Sequence, residues 1–203
     1  YCRMLPKLDI QTLGQFCLFL DGNRMDPKSF EGAKPLTLLK SIVLHGGSDI
    51  PREILIHDLW PDSPAQAGEK NFKINLYRLR KAIEPNPRKE FGHSYILLKS
   101  GLVSLNPDLV TVDVTQFLDL GNQAEKAEDQ KEHPRALGLY KDACRLYQGD
   151  FFAEEPYLEW VSRKRELYRA RYLELLVKQA KRHEEIDQMT QAIESWQRVL
   201  DTD

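Results

Sequence analysis

Residues 69–84 read EKNFKINLYRLRKAIE, and this stretch decides the fold of the first half of the chain. Four apolar side chains recur at helical spacing and share one narrow face at 3.6 residues per turn, namely Phe72, Leu76, Leu79 and Ile83. The spacing therefore predicts an amphipathic helix. The opposite face carries Lys70, Asn71, Ile74, Tyr77, Arg78 and Lys81, with Lys73, Asn75 and Arg80 on its flanks.

The outer face of this helix has the residue types that read a DNA major groove. Arg and Lys contact guanine edges and phosphates, Asn contacts adenine, and an aliphatic side chain meets a thymine methyl group. Residues 69–89 hold seven Lys or Arg and two acids, a local charge of +5. We predict base contacts for Asn71, Ile74 and Arg78. Tyr77 shares their face, phosphate contacts are predicted for Lys70, Lys73 and Lys81, and Arg80 is predicted to bind DNA or pair with Glu84.

Composition points to two modules with different partners. The 203 residues carry a net charge of −2, but residues 1–110 hold fifteen basic and twelve acidic residues (+3) and residues 111–203 hold fourteen and nineteen (−5). No apolar run approaches the roughly 20 residues of a membrane span. Three cysteines without a CxxC motif favour a reducing compartment over a disulfide framework or a zinc site. We therefore expect a cytoplasmic protein without a membrane partner.

The elements around the basic helix follow the order of a winged helix. Alternating residues predict short strands before Asp21, and two helices follow, one from Lys34 to His45 and one from Pro51 to Pro61. After the basic helix, two apolar runs flank Ser100-Gly101, which predicts a hairpin over residues 95–105 with Lys99 near its tip, where it could reach a phosphate. The prediction for residues 1–110 is an α+β winged-helix domain with N-terminal antiparallel strands and a C-terminal hairpin.

Residues 111–203 predict continuous helix. Alanine and tyrosine recur at the spacing of paired antiparallel helices, which is typical of a tetratricopeptide-like array. The aromatic side chains here are expected to form the core. The chain starts without a Met and stops where another repeat would stack, so we expect it to be a truncated part of a longer protein.

Residues 71–83, NFKINLYRLRKAI, resemble the recognition helix of OmpR-type winged-helix response regulators. The fuller pattern resembles the Streptomyces antibiotic regulatory proteins, which join such a winged helix to a bacterial transcriptional activator domain. The matching segments are LGQF at 13–16, LLK at 38–40, PRE at 51–53, LWPD at 59–62, LNP at 105–107, VDV at 112–114 and LYQGDF at 146–151, together with Trp160 and residues 163–167. A variant of this family places the unit at the C-terminus of large regulators that carry an ATPase module.

This resemblance implies a transcriptional activator. Residues 70–81 would enter the major groove of double-stranded DNA, and the hairpin would touch the minor groove or the backbone. The loop 60–68 would face RNA polymerase through Asp62, Ser63 and Gln66. Direct-repeat DNA sites would imply a head-to-tail homodimer.

Two other functions are alternatives to sequence-specific DNA binding. A protein–protein interaction module of a larger signalling regulator is favoured by the acidic second half. An enzyme is disfavoured because the sequence has no nucleophile–base pair, phosphate-binding glycine loop, metal-ligand cluster or close acidic dyad. We therefore predict no catalytic residue, no metal site and no cofactor.

Overall fold

The computed structural model describes residues 6–84, 94–155 and 159–202. It divides into two units: the first comprises Tyr1–Ile10 and Cys17–Thr111, and the second comprises Gln11–Phe16 and Val112–Asp203. The predicted α+β class, with strands at the N-terminus and a helical second half, is confirmed. The side chain of Trp160, part of the motif pattern, lies outside what is described.

The described residues form seven strands in two sheets. In chain order they are β1 (Leu8–Gln11), β2 (Cys17–Leu20), β3 (Asn23–Arg24), β4 (Ile50–Pro51), β5 (Ile96–Lys99), β6 (Leu102–Leu105) and β7 (Val110–Val112). The first sheet has the order β3-β2-β1-β7 and the second has the order β4-β6-β5. In β1, Leu8 and Ile10 are buried while Asp9 between them is exposed, as the alternating sequence predicts.

The described part of the first unit contains three α-helices, and strand β4 lies between the first and the second of them in sequence. The helices are α1 (Lys34–Leu44), α2 (Arg52–Leu59) and α3 (Ala65–Ile83), and α3 packs against both α1 and α2. The predicted hairpin is confirmed, because β5 and β6 pair antiparallel with Lys99 opposite Leu102. Its turn places Ser100 at φ 52° and Gly101 at φ 82°, both in the left-handed region that a tight hairpin turn requires.

Helix α3 begins at Ala65, four residues earlier than its apolar spacing predicts. The prediction of a loop over residues 60–68 is therefore wrong for 65–68, and the loop comprises only 60–64. Gly68 lies inside the helix, where an added Cβ would come within 2.7 Å of Ile56 Cγ2 of α2. This glycine is a close-packing position between two helices, although in the sequence it has the character of a loop residue.

The second unit contains helices α4 (Asp113–Asp129), α5 (His133–Leu146), α6 (Glu159–Glu185) and α7 (Met189–Thr202). Neighbouring helices pack as α4 with α5, α5 with α6, and α6 with α7. Aromatic side chains fill the core: the rings of Tyr147 and Tyr172 stack with centroids 4.1 Å apart, and Phe151 and Phe152 are fully buried. The expectation that the aromatic side chains form the core is confirmed for Tyr147, Phe151, Phe152 and Tyr172, whereas Trp196 is half-buried.

An ion-pair cluster on the second unit joins α4 to α6. Glu125 accepts hydrogen bonds at 2.8 Å from Nη1 and Nη2 of Arg171, and it also accepts one from Lys178. The Arg171 guanidinium, followed by the Lys178 ammonium, lowers the pKa of Glu125 to about 2 although partial burial opposes the shift. The carboxylate therefore stays charged well into the acid range.

Replacing Glu125 with glutamine is expected to remove part of the acid sensitivity of the second unit. A carboxyl whose pKa is lowered in the folded state stabilises it above the unfolded pKa of 4.5, and this contribution is lost as pH falls through about 2. The Glu125 side chain is 34% exposed, so after allowing for solvent screening we expect a contribution of about 1–2 kcal/mol. Urea denaturation at pH 7, 5, 3 and 2 measures it. The control Glu166→Gln, at an exposed position of α6, should keep the wild-type pH dependence.

Candidate nucleic-acid interface

Helix α3 has one buried face and one exposed face. Phe72, Leu76, Leu79 and Ile83 are all buried, so the predicted apolar face is confirmed. Burying four large apolar side chains at 1.5–3 kcal/mol each fixes the rotation of α3 on the body of the first unit. The opposite face must then point to solvent.

The exposed face of α3 brings together the residues predicted to contact DNA. Tyr77 is 68% exposed and Ile74 is 38% exposed. Lys70, Lys73, Arg78 and Lys81 are exposed with them, and Asn71 is half-buried. Residues 70–81 extend over about 16 Å of helix at 1.5 Å per residue, so the face is long enough to follow a groove.

Asn75 and Arg80, which the sequence places on the flanks of this face, make hydrogen bonds within the first unit. Asn75 is buried and donates a hydrogen bond from Nδ2 to the Asn71 carbonyl oxygen at 2.8 Å. Arg80 donates from Nη2 to the Ile96 carbonyl oxygen at 2.6 Å, which links α3 to β5. We therefore assign Arg80 to the attachment of the hairpin.

The hairpin turn holds Lys99 at an exposed position. Lys99 is the last residue of β5, and the turn residues Ser100 and Gly101 follow it. The Gly101 carbonyl oxygen accepts a hydrogen bond at 3.0 Å from the backbone N–H of Arg52, the first residue of α2. This contact fixes the turn relative to the helices of the first unit.

Glu31 contacts two of the predicted DNA-binding cations, and the sequence contains no signal for this contact. Its Oε1 lies 2.7 Å from Lys81 Nζ, and its Oε2 lies 3.6 Å from Arg78 Nε. The Lys81 ammonium, aided by Arg78, lowers the pKa of Glu31 below its usual value, and the same carboxylate raises the pKa of Lys81. Local periodicity cannot reveal a contact between segments so far apart in the chain.

The residues predicted to face RNA polymerase lie at the N-terminal end of α3. Asp62 is exposed in the loop, and the backbone N–H of Ser63 donates to the Trp60 carbonyl oxygen at 3.1 Å. Gln66 lies on the first turn of α3 instead of in the loop. It lines an open groove of about 570 Å³ together with Ala65, Glu69, Lys70, Lys73 and Ile74.

The part of the chain described by the structure offers no metal centre: no three His, Cys, Asp or Glu side chains come together where they could hold an ion. Among the same residues, every helix is too short or too polar to span a membrane.

Comparison with known proteins connects the second unit to transcription. Residues 112–203 match the model of the bacterial transcriptional activator domain. No curated protein matches the chain in sequence. The fold is similar to that of Mycobacterium tuberculosis EmbR, solved in complex with a low-affinity phosphopeptide, with a TM-score of 0.62 and 18% identity over 96% of this chain. The chain covers 59% of that EmbR chain. The domain match thus covers most of the second unit, and the shared fold extends over nearly the whole chain.

Proposed function

We propose that this chain is a sequence-specific DNA-binding transcriptional activator of the Streptomyces antibiotic regulatory protein kind. Residues 1–110 would form an OmpR-like winged helix, and residues 111–203 a tetratricopeptide-like activator domain. The observation that carries the proposal is the face of α3, where four cations, an aliphatic side chain and a tyrosine are exposed beside a half-buried amide and opposite a buried apolar stripe. The activator-domain match of residues 112–203 supports it independently.

In this proposal α3 enters the major groove and the hairpin reaches the neighbouring backbone. Arg78 and Asn71 read base edges, and Ile74 packs against a thymine methyl group. Lys70, Lys73, Lys81 and Lys99 neutralise phosphates, which position the helix without reading sequence. Tyr77, the more exposed of the two large hydrophobic side chains of the face, lies between Ile74 and Arg78 in sequence and completes the contact surface.

The activator role requires a second surface. We propose that Asp62, Ser63 and Gln66, at the N-terminal end of α3, face RNA polymerase while the exposed cations of α3 face DNA. Binding to direct repeats would place two copies head to tail on the DNA. Both events would take place in the cytoplasm.

Fluorescence anisotropy of the purified chain against a library of duplexes tests the proposal. Four phosphate contacts give a slope of log K against log salt of about −3.6, so affinity should fall about 100-fold between 50 and 200 mM salt. Selection of a short repeated motif identifies a DNA reader and its site. Absence of binding to every duplex at 50 mM salt would contradict the proposal.

Replacing Arg78 with alanine is expected to weaken binding to the selected duplex by about 1–3 kcal/mol and to relax specificity at one base pair. The variant lacks the guanidinium that donates hydrogen bonds to a guanine edge. Duplexes with another base pair at that position would then bind nearly as tightly as the selected duplex. Anisotropy against single-base variants of the site measures this effect. The control Lys73→Ala should weaken all duplexes about equally, and an equal loss on all duplexes in Arg78→Ala would make Arg78 a phosphate contact instead.

A protein-interaction module is the second candidate, and helix α7 favours it. Ile193 is 66% exposed and Leu200 is 74% exposed on this helix, in a half of the chain with net charge −5. Large apolar side chains exposed together are typical of protein contact surfaces. Under this function the chain would bind no duplex even at low salt.

A further inference from the structure

Glu31 lies in a short segment next to α3, and the residues before and after it have a defined backbone conformation. A short 3-10 helix, Pro27–Ser29, begins after Asp26, whose side chain accepts a hydrogen bond from the Lys28 N–H. Phe30 is buried, and Gly32 follows Glu31 at φ +88°, a conformation that favours glycine. The Glu31 side chain is 54% exposed between these two fixed points, so its carboxylate stands beside the exposed face of α3.

The carboxylate of Glu31 binds the cations at the C-terminal half of the predicted DNA-binding face. Arg78 and Lys81 are three residues apart and adjacent on the helix surface, and Glu31 lies 3.6 Å from the Nε of the first and 2.7 Å from the Nζ of the second. A carboxylate and a phosphate oxygen offer a lysine the same kind of acceptor. A DNA phosphate that reaches Lys81 must therefore either displace the Glu31 carboxylate or bind close to its negative charge, which repels the phosphate.

The contact with Arg78 has a different consequence. It is made through Nε, and a guanidinium held at Nε still has two Nη groups with which to read a guanine edge. Glu31 therefore opposes phosphate contact by Lys81 but supports a base contact by Arg78, because its carboxylate pairs with Nε and restricts the guanidinium while the two Nη groups stay available. The two effects have opposite signs on a specific duplex, whereas on a non-specific duplex only the opposition to phosphate remains.

Building on the proposed DNA-binding function, we propose that Glu31 is a specificity determinant: its carboxylate occupies the place of a DNA phosphate beside Lys81 and Arg78, and so suppresses binding to non-specific DNA. Non-specific affinity comes almost entirely from phosphate contacts. On a non-specific duplex, freeing Lys81 adds up to one such contact, which steepens the slope of log K against log salt by about 0.9.

The test compares Glu31→Gln with the wild type on two duplexes, the selected site and a scrambled duplex of the same composition, from 50 to 200 mM salt. We expect Glu31→Gln to bind the scrambled duplex about 3–10-fold more tightly at 50 mM salt, with a steeper salt slope, and the selected site within about threefold of wild type. The ratio of the two affinities should fall. The control Glu53→Gln changes the charge of the first unit equally, at a carboxylate that pairs with Arg52 of α2, and should leave the ratio unchanged.

A double variant separates the local contact from a general charge effect. Glu31→Gln combined with Lys81→Gln should show no gain over Lys81→Gln alone, because the gain acts through Lys81. Equal gains in Glu31→Gln and Glu53→Gln, or an unchanged affinity ratio while the wild type binds DNA, would overturn this inference alone. Absence of wild-type binding to any duplex would overturn the proposed DNA-binding function and this inference with it.

Discussion

Replacing Asp113 with alanine is expected to lower the free energy of unfolding of the second unit by about 3–5 kcal/mol. Asp113 is the first residue of α4, and its carboxylate accepts hydrogen bonds from Thr12 and Leu13, which belong to the same unit. It accepts from the Thr12 N–H at 2.8 and 2.9 Å, from Thr12 Oγ1 at 2.5 Å, and from the Leu13 N–H at 2.9 Å. A fourth donor, the Val114 N–H, lies 2.7 Å from Oδ1.

The large effect follows from the burial of the donors. Thr12 and Leu13 are both fully buried. Truncation of Asp113 therefore leaves their N–H groups without a hydrogen-bond acceptor, because neither the carboxylate nor water is available to them. Each buried unsatisfied donor costs about 1–3 kcal/mol. Amide hydrogen exchange at Thr12 and Leu13 and urea denaturation both measure the loss. Asp119→Ala, at an exposed position of the same helix, is the control and should change stability by less than about 0.5 kcal/mol.

Local patterns in the sequence predict the elements of the first unit well. The 3.6-residue spacing of Phe72, Leu76, Leu79 and Ile83 identifies the buried face of α3, because helix periodicity maps directly onto burial. The apolar runs around Ser100-Gly101 identify the hairpin for a similar reason: the turn chemistry is contained in two adjacent residues. These features depend only on neighbours in the chain.

Features that depend on distant segments are not predictable in this way. Position 68 of α3 holds a glycine because Ile56 of α2 leaves no room for a Cβ there. The pairing of Glu31 with Lys81, and of Thr12 and Leu13 with Asp113, joins segments whose spacing carries no periodic signal. A helical projection places Asn75 on a flank of the exposed face, but it contains no information on the burial of Asn75 or on its hydrogen bond to the Asn71 carbonyl oxygen.

Replacing Glu84 with alanine is expected to destabilise the attachment of the hairpin to α3 by about 2–4 kcal/mol. Glu84 follows the last residue of α3, and its Oε1 accepts three hydrogen bonds: from Ser94 Oγ at 2.7 Å, from the Tyr95 N–H at 2.7 Å and from the Ile96 N–H at 3.0 Å. Tyr95 and Ile96 are fully buried. Truncation of Glu84 therefore leaves two buried backbone donors unsatisfied.

Amide hydrogen exchange at Tyr95 and Ile96 measures this loss locally, and we expect it to accelerate about 30-fold or more in Glu84→Ala. The matched control is Glu84→Gln, which keeps an Oε1 acceptor and should cost about 1 kcal/mol. The same variant pair links the fold to the proposed function, because the hairpin carries Lys99 at a fixed distance from α3. If these amides exchanged no faster in Glu84→Ala than in Glu84→Gln, the contact of Arg80 and the β4–β6 pairing would be sufficient to hold the hairpin. The Glu84 carboxylate would then have no role in attaching the hairpin to α3.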